Sequence, residues 1–158
     1  MQSLAPILAN HPFFKGFEPR YMQLITGCAS NVRFPAGSYI FREGEPASTF
    51  YIIRRGKVAL EAVAAQQGSR VIQTIEDGDV LGWSWLFPPY RWHFNARTIE
   101  ETRAIALDGV CLREKGEADH DFGYELVKRV ALIMMERLQA TRLQALDIYN
   151  VPSTEAGV

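Results

Sequence analysis

The stretch FPAGSYIFREGEPASTFYIIRRGKV, residues 34–58, carries the strongest structural signal in the chain. It consists of short apolar runs that are broken by three glycines, Gly37, Gly44 and Gly56. Glycine permits the positive φ angles of tight turns, and the Tyr, Ile, Phe and Val residues between the glycines favour β-strands. Residues 71–82, VIQTIEDGDVLG, repeat the pattern with a turn signal at Asp77-Gly78. The two stretches predict a mainly β fold with flanking helices, built on a small antiparallel barrel or jelly roll.

The same residues resemble the cyclic nucleotide-binding domain of the catabolite activator (Crp/Fnr-like) family. The resemblance rests on Phe-x-Ala-Gly-x-x-Ile-Phe-x-Glu-Gly-Glu from residue 34, Tyr-Ile-Ile-x-x-Gly-x-Val from residue 51 and Gly-Asp-x-x-Gly from residue 78. It spans residues 34–108, and a helical continuation extends it to residue 149. The resemblance implies a jelly-roll barrel followed by a long C-terminal helix, and a regulatory rather than a catalytic role.

The composition is typical of one globular domain, with a formal net charge of −1 that gives no overall attraction for nucleic acid or an anionic membrane. No apolar run is long enough to span a membrane, and the N-terminal residues lack the features of a signal peptide. Cys28 and Cys111 are isolated in the sequence. We therefore predict two free thiols in a reducing compartment, with the cytoplasm as the expected location.

Three zones and a tail are predicted along the chain. Residues 1–30 are predicted to form short helices, residues 31–108 the barrel, and residues 109–149 a short helix followed by a long dimerisation helix. Residues 150–158 contain Pro, Ser, Thr, Glu and Gly, which is typical of a flexible tail. In the activator family the long helix leads into a helix-turn-helix domain. We expect a stand-alone module here, without DNA recognition of its own, because the chain leaves no room for a recognition helix.

The long helix carries an apolar seam. Its positions are spaced four and three apart, as in a two-stranded coiled coil: Val127, Ala131, Met134, Leu138, Thr141, Ala145 and Ile148. A neighbouring strip of Leu126, Val130 and Ile133 can cover the barrel and leave the seam for a second subunit. We predict a parallel homodimer through the seam, with packing of the seam on the barrel as the alternative. The resemblance also implies dimerisation through this helix.

The ligand chemistry departs from the family pattern. In the family, backbone N–H groups after Gly-Asp-x-x-Gly face the cyclic phosphate, a glutamate holds the ribose, and an arginine pairs with the phosphate. Gly82 is kept, but Trp83 replaces the glutamate, and an indole cannot accept a hydrogen bond from a hydroxyl. The arginine position falls on Tyr90. Arg91 lies one residue out of register and is predicted to face outward, unless the Pro88-Pro89 pair shifts the phase.

Aromatic residues crowd this segment: Trp83, Trp85, Phe87, Tyr90, Trp92 and Phe94. One interpretation is that the rings fill the former pocket and leave a ligand-free interaction module. Another is an altered pocket whose rings stack on a flatter ligand, anchored by polar residues among Ser84, Arg91, His93 and Asn95. Ordinary cyclic nucleotide binding through Arg91 is a third. The candidate ligand-binding residues are Gly82, Trp83, Ser84, Trp85, Tyr90, Arg91, Trp92 and Thr141.

Thr141 enters this set through the resemblance. The stretch Arg137-Leu138-Gln139-Ala140-Thr141 resembles the part of the activator's long helix in which a threonine reaches the adenine base across the dimer seam. Arg142, however, stands where the activator has a serine that also meets the base. A threonine here can instead bond to its own helix backbone.

Features typical of enzymes are missing from the sequence. The barrel shape also serves metal-binding cupins, but His11, His93 and His120 lie in three separate zones, so we predict no metal site. No nucleophile motif surrounds either cysteine, and Glu61 is expected on a solvated strand face. Arg54-Arg55 is expected to be a polar hairpin tip. We therefore predict a non-enzymatic sensor for a cyclic nucleotide or another small ligand, acting on an unidentified protein partner.

Overall fold

The computed structural model describes the backbone of residues 4–64 and 68–156, and the side chains of residues 4–63 and 68–146. The helices are α1 (Ala5–Asn10), α2 (Pro19–Thr26), α3 (Gly109–Ala118) and α4 (His120–Ala156). The strands are β1 (Ala29–Phe34), β2 (Tyr39–Phe41), β3 (Thr49–Arg55), β4 (Val58–Ala64), β5 (Gly68–Ile75), β6 (Val80–Leu81), β7 (Asn95–Thr98) and β8 (Thr102–Asp108).

The strands form two antiparallel sheets, with the orders β1-β8-β3-β6 and β2-β7-β4-β5. Non-consecutive strands are neighbours in both sheets, which is the arrangement of a jelly roll. The predicted fold class is confirmed: two β-sheets are followed by a long C-terminal helix. The tight turns lie at the predicted glycines, as at Gly56, where φ is +133° and a Cβ atom would lie 2.7 Å from the Cα of Thr102.

Two apolar layers hold the domain together. The inner layer lies between the two sheets and includes Ile53, Leu60 and Trp92. The outer layer lies between the first sheet and the helices, where Phe50 and Leu107 meet residues of α1, α2 and α4. Burial of these side chains is the main stabilising contribution, and it fixes α4 against the barrel.

Helix α4 begins after Asp119, whose carboxylate accepts a hydrogen bond from the backbone N–H of Phe122. Leu126 and Val130 are buried against the outer layer and Ile133 packs on it, as the sequence predicts. Further contact comes from Arg129, whose Nη1 donates to the carbonyls of Phe13 and Lys15, at 2.6 and 2.8 Å. One face of α4 is therefore committed to the barrel and the N-terminal loop.

The predicted seam lies beside this face on α4 and is largely exposed, although its residue Met134 packs on the outer layer. Val127 and Leu138 are 43% and 51% exposed, and Met134 is half-buried. Ala131, Thr141 and Ala145 are exposed, and the side chain of Ile148 lies outside the described residues. The sequence reading missed a second apolar flank on α4, formed by the exposed residues Leu132, Met135, Leu143 and Leu146.

The prediction of two free thiols is wrong. Cys28 and Cys111 form a disulfide between Cα atoms 5.9 Å apart, although 83 positions separate them in the sequence. The fold places the start of α3 beside the end of α2, since the N–H of Asp108 donates to the carbonyl of Cys28 at 2.9 Å. Sequence spacing does not reveal such proximity. Because the two cysteines are paired, they do not indicate a reducing compartment.

Three further expectations need correction. Helix α4 continues to Ala156, so residues 150–156 are helical rather than a tail. The alternation of Trp92, Phe94 and Ala96 with His93, Asn95 and Arg97 predicts a strand from Trp92, but the strand begins only at Asn95. Trp92 and Ala96 are buried, as this alternation predicts. Glu61 is not solvated: it is 5% exposed and pairs with Arg97.

Within the described ranges, no helix combines the length and the apolar character needed to cross a lipid bilayer.

Candidate functional site

Gly82 and Trp92 meet at the centre of the predicted pocket. Gly82 has a φ of +88°, and a Cβ atom at this position would lie 2.6 Å from two ring carbons of Trp92. The indole of Trp92 is 4% exposed and stacks on Phe41, with ring centroids 3.7 Å apart and planes 8° apart. Trp92 therefore occupies barrel interior beside the glycine that the family motif places at its phosphate site.

Trp85 and Ser84 are also buried, on a 3₁₀ turn formed by Ser84–Leu86. The indole Nε1 of Trp85 donates to the carbonyl of Gly82 at 3.1 Å. Its ring packs on Phe50 in the outer layer, and its Cβ lies 2.7 Å from where a Cβ on Gly109 would be. Trp85 thus joins the pocket segment to the start of α3.

Tyr90 has a φ of +57°, an unusual value for a residue other than glycine. The guanidinium of Arg113 on α3 lies 3.9 Å from the centroid of its ring, and the same side chain donates to the carbonyl of Trp85. The carbonyl of Tyr90 accepts from the N–H of Ala47 at 2.7 Å. Contacts from two directions hold this backbone conformation in place.

Arg91 does not point into the barrel. Its side chain is exposed, and Nη1 donates to the carbonyl of Gly44 at 3.2 Å. Its backbone forms an isolated bridge with Pro46, and a cis peptide bond joins the preceding Pro88 and Pro89. In this arrangement the guanidinium of Arg91 forms a hydrogen bond to the loop before β3.

Trp83 lies at the edge of the barrel and faces α4. The guanidinium carbon of Arg137 is 5.0 Å from the Trp83 ring centroid, and Nη2 of Arg137 donates to the carbonyl of Val80. The ring face attracts the cation electrostatically. Trp83 therefore contacts an arginine of the long helix from the position where the family has its glutamate.

Thr141 lies one turn beyond Arg137 on α4, and its hydroxyl donates to the carbonyl of Arg137 at 2.9 Å. This is a bond to its own helix, the alternative that the sequence also permits. Thr141 is exposed, at a seam position.

A groove of about 920 Å³ runs between α4, the β5–β6 turn and the loop after α1. Its walls combine apolar side chains such as Leu132 with cations and carboxylates. The cations include Arg129 and Arg137, and the carboxylates include Asp79. Its volume falls within the range of pockets that hold small molecules. A second cavity of about 280 Å³ lies at the end of the barrel, with Phe41 and Trp92 in its wall.

Arg129 and Arg137 of the groove each have one buried nitrogen without a hydrogen-bond partner among the described residues, but of the two only Arg129 has an ion pair there, with Glu125. In Arg137 this nitrogen is Nη1. Burial lowers the pKa of Arg137 to about 10, while the Asp79 and Glu136 carboxylates act in the opposite direction. At neutral pH the side chain remains a cation whose hydrogen bonding is incomplete, which is costly for a buried group.

His11 closes one end of the groove. Its Nε2 lies 2.7 Å from the carbonyl of Gly78, and its Nδ1 accepts from the N–H of Phe13 at 3.1 Å. These contacts require the neutral tautomer that carries its proton on Nε2. Burial lowers the pKa of His11, against the effects of the Gly78 carbonyl and Asp79.

The structure brings some of the predicted residues together and separates others. Gly82, Trp83, Ser84, Trp85 and Trp92 are close neighbours, whereas Arg91 and Thr141 lie outside this cluster. The sequence reading missed Arg137 and Arg113 as contact residues. Arg137 could have been found from its spacing, because it continues the strip of Leu126, Val130 and Ile133. Arg113 offered no comparable signal.

Among the residues that the structure describes, no group of three His, Cys, Asp or Glu side chains is arranged to hold a metal ion.

Known proteins resemble this chain in sequence and in fold. The family model for the cyclic nucleotide-binding domain matches residues 31–119. A CRP-like cAMP-activated global transcriptional regulator of Mycobacterium tuberculosis is 31% identical over 142 residues. That match covers 90% of this chain but 62% of the regulator, so the chain spans less than two thirds of this relative's length.

Solved structures agree with the fold. A candidate cyclic nucleotide-binding protein from Geobacter metallireducens superposes with a TM-score of 0.77 and 26% identity, covering 87% of this chain and 99% of that one. The Catabolite Activator Protein of Thermus thermophilus gives 0.68 at 22% identity, covering 88% of this chain and 63% of that one. With the jelly roll, the long helix and the matching motifs together, the chain belongs to the cyclic nucleotide-binding domain family.

Proposed function

We propose that this chain is a non-enzymatic regulatory domain that senses an anionic small molecule in the α4 groove. The observation that carries the proposal is Arg137, a half-buried cation that lines this groove and whose buried Nη1 has no hydrogen-bond partner among the described residues. The site where the family pattern places the cyclic phosphate is unsuited to it, because Trp92 fills that space and Arg91 faces Gly44.

An anionic ligand offers Arg137 what the chain does not. Charge-assisted hydrogen bonds between guanidinium and phosphate or carboxylate are strong and directional. A ligand that draws the guanidinium toward the groove completes its hydrogen bonds. The apolar wall near Leu132 suits a ring or hydrocarbon part of the same molecule.

A ligand bound to Arg137 would directly affect how α4 packs on the barrel. The side chain connects α4 to Trp83 and to the Val80 carbonyl of β6, so its displacement changes how α4 is held against the barrel. The exposed seam of α4 is the surface through which we propose that two copies pair in parallel. The ligand thereby biases the dimer, and the dimer acts on a protein partner.

Cyclic nucleotides are the first ligands to test. The Mycobacterium tuberculosis relative is named as cAMP-activated, and a regulator of Xanthomonas campestris with the same fold is named as c-di-GMP responsive. We expect an anionic member of this class to raise the melting temperature by several degrees at a hundredfold its dissociation constant.

The test is a thermal-shift titration with cAMP, cGMP and c-di-GMP on three proteins: the natural chain, Arg137→Gln and Arg91→Gln. Under the proposal, Arg137→Gln abolishes the shift and Arg91→Gln keeps it. Arg91→Gln is a matched control, because both variants lose one positive charge. A shift lost only in Arg91→Gln would return the ligand to the family position and contradict the α4 site. The homodimer is tested separately by sedimentation of Leu138→Glu, which we expect to be monomeric.

A second candidate function is a ligand-free interaction module. The stacked pair of Trp92 and Phe41 favours it, because close-packed rings leave no room beside Gly82. Under this alternative none of the three nucleotides shifts the melting temperature of any of the proteins, and the dimer forms without ligand.

A further inference from the structure

Four arginines gather at one end of the first sheet. In the strand register Arg33 of β1 lies opposite Arg103 of β8, and Arg103 lies opposite Arg55 of β3. A bulge between Ile53 and Arg55 adds Arg54 beside the same position. Directly opposed residues of antiparallel strands point to the same face, so Arg33, Arg103 and Arg55 form one line, which we call the arginine row.

The arginine row lies where the helices no longer cover the sheet. Arg103 shares its face of β8 with Ile105 and Leu107, which are buried under the helices. Arg33 and Arg103 are each 65% exposed, and Arg55 is exposed as well. The outer face of this sheet therefore changes along its strands from apolar and covered to cationic and open.

Like charges directly opposite one another destabilise a sheet. Glu101 is the carboxylate that relieves this repulsion: its oxygens lie 3.0 Å from Nη2 of Arg33 and 3.7 Å from Nε of Arg103. No carboxylate in the described part of the chain lies within ion-pair distance of Arg54 or Arg55. The chain as a whole has a net charge of −1, so the row is a local concentration of positive charge.

Glu101 shows what kind of group the row accepts. One carboxylate fits between the first two arginines, and the gap between Arg103 and Arg55 is of the same width, because neighbouring strands are about 4.8 Å apart. The whole row spans roughly 10 Å on the same spacing. The centres of the two gaps are therefore about 4.8 Å apart, and Glu101 already occupies the first of them.

We propose that the arginine row binds an acidic segment of a partner protein, with an aspartate or glutamate side chain in the gap between Arg103 and Arg55, which Glu101 leaves open. This surface is separate from the α4 groove and does not depend on ligand binding there. The short row and the negative net charge favour a few carboxylates over a nucleic acid or a membrane, both of which call for an extended basic surface.

Fluorescence anisotropy of a labelled peptide with three glutamates at alternate positions, Glu-Ser-Glu-Ser-Glu, tests the proposal at low salt. The matched control peptide has glutamine in place of glutamate. We expect the glutamate peptide to bind and the glutamine peptide not to bind. Arg55→Gln should weaken binding about threefold, and combined replacement of Arg33, Arg55 and Arg103 by Gln about tenfold or more.

Two single variants sharpen the test. Arg70→Gln removes the same charge from an exposed position on the other sheet and should leave the affinity unchanged. Glu101→Gln removes the internal carboxylate and should tighten peptide binding about twofold to threefold. Removing opposed like charges should not lower the melting temperature, so circular dichroism of the triple variant is expected to show an intact fold.

Three results overturn the proposal. The first is no binding of the glutamate peptide. The second is binding that Arg70→Gln weakens as much as Arg55→Gln does. The third is arginine-dependent binding of a single-stranded oligothymidine or of phosphatidylserine vesicles when the peptide fails, which would assign the row to nucleic acid or membrane instead.

Discussion

The barrel interior beside Gly82 is packed with apolar rings, whereas the groove beside α4 is lined by charged side chains. In the barrel, apolar rings meet glycine at contact distance, and Arg91 faces the Gly44 carbonyl instead. In the groove, cations and carboxylates line an open space, and two buried guanidinium nitrogens, Nε of Arg129 and Nη1 of Arg137, have no hydrogen-bond partner among the described residues. The place where the family pattern expects a ligand is thus closely packed, whereas the polar groups without hydrogen-bond partners lie against the long helix.

Trp92→Ala should have the largest effect, because it removes a buried ring and leaves a cavity beside Gly82. We expect a loss of about 3–5 kcal/mol in the free energy of unfolding, measured by urea denaturation. Phe87→Ala is the control, since Phe87 is 42% exposed and should matter little. A loss below about 1 kcal/mol for Trp92→Ala would mean that the barrel is not held by this ring.

The helical layer bordering the groove has a covalent tie, the disulfide between Cys28 and Cys111. Replacing both cysteines by serine should lower the free energy of unfolding by about 2–4 kcal/mol, because the bond closes a long loop in the unfolded chain. Unfolding with and without a reductant checks this. The reductant should reproduce the loss in the natural chain and have no effect on the double variant.

Arg129 and Arg137 of α4 each have one buried nitrogen without a hydrogen-bond partner among the described residues. They differ in that Arg129 pairs with Glu125 at 3.6 Å, whereas Arg137 has no ion pair in the described part of the chain. Arg129→Met should cost about 1–3 kcal/mol, because it leaves two carbonyls of the N-terminal loop without their donor. Arg137→Met leaves the Val80 carbonyl without its donor but also removes a half-buried charge that has no ion pair among the described residues. The two effects oppose each other, so stability should change by less than about 1 kcal/mol. Equal losses in both variants would contradict the assignment of Arg137 to a binding role.

The smallest effect should be a dependence on pH that originates at the groove. Because burial holds the pKa of His11 below 6.5, the unfolded chain takes up a proton first as the pH falls. Stability should therefore be complete above pH 6.5 and decline below it. Melting temperatures of the natural chain and His11→Gln, compared between pH 7.5 and about 5.5, should differ in slope.

A second decline in stability, linked to a carboxylate, should follow at lower pH in both the natural chain and His11→Gln. The hydrogen bonds from Arg97 lower the pKa of Glu61 against the effect of burial, so its stabilising contribution is present above 4.5 and lost as the pH falls further. Identical slopes for the natural chain and His11→Gln above pH 5.5 would contradict the prediction, because they would mean that folding does not lower the pKa of His11.

Local patterns predicted most of the architecture. The glycine-broken runs predicted the strands and turns, and the strip of Leu126, Val130 and Ile133 predicted the face of α4 that covers the barrel. Both signals are periodic, and periodicity reports directly which side of an element is buried. The helical extension to Ala156 was missed, because composition alone is a weak guide to where a helix ends.

The candidate site was predictable only in part. Trp83 and Arg91 depart from the family motif, and that departure is readable in the sequence. The groove beside α4 depends on pairs such as Arg137 with Trp83, which are distant in the chain. The same is true of Cys28 with Cys111 and of Glu61 with Arg97.

The sequence alone determined the jelly roll, the amphipathic long helix and the loss of the family's ribose-binding carboxylate, because each depends on residue type at short, regular spacing. Only the tertiary structure decided that Trp92 fills the space beside Gly82, that Arg137 is half-buried beside a groove and that three arginines line up across separate strands. These features arise from contacts between distant segments. Strand register and helix packing set such contacts, and neither can be read from a single segment.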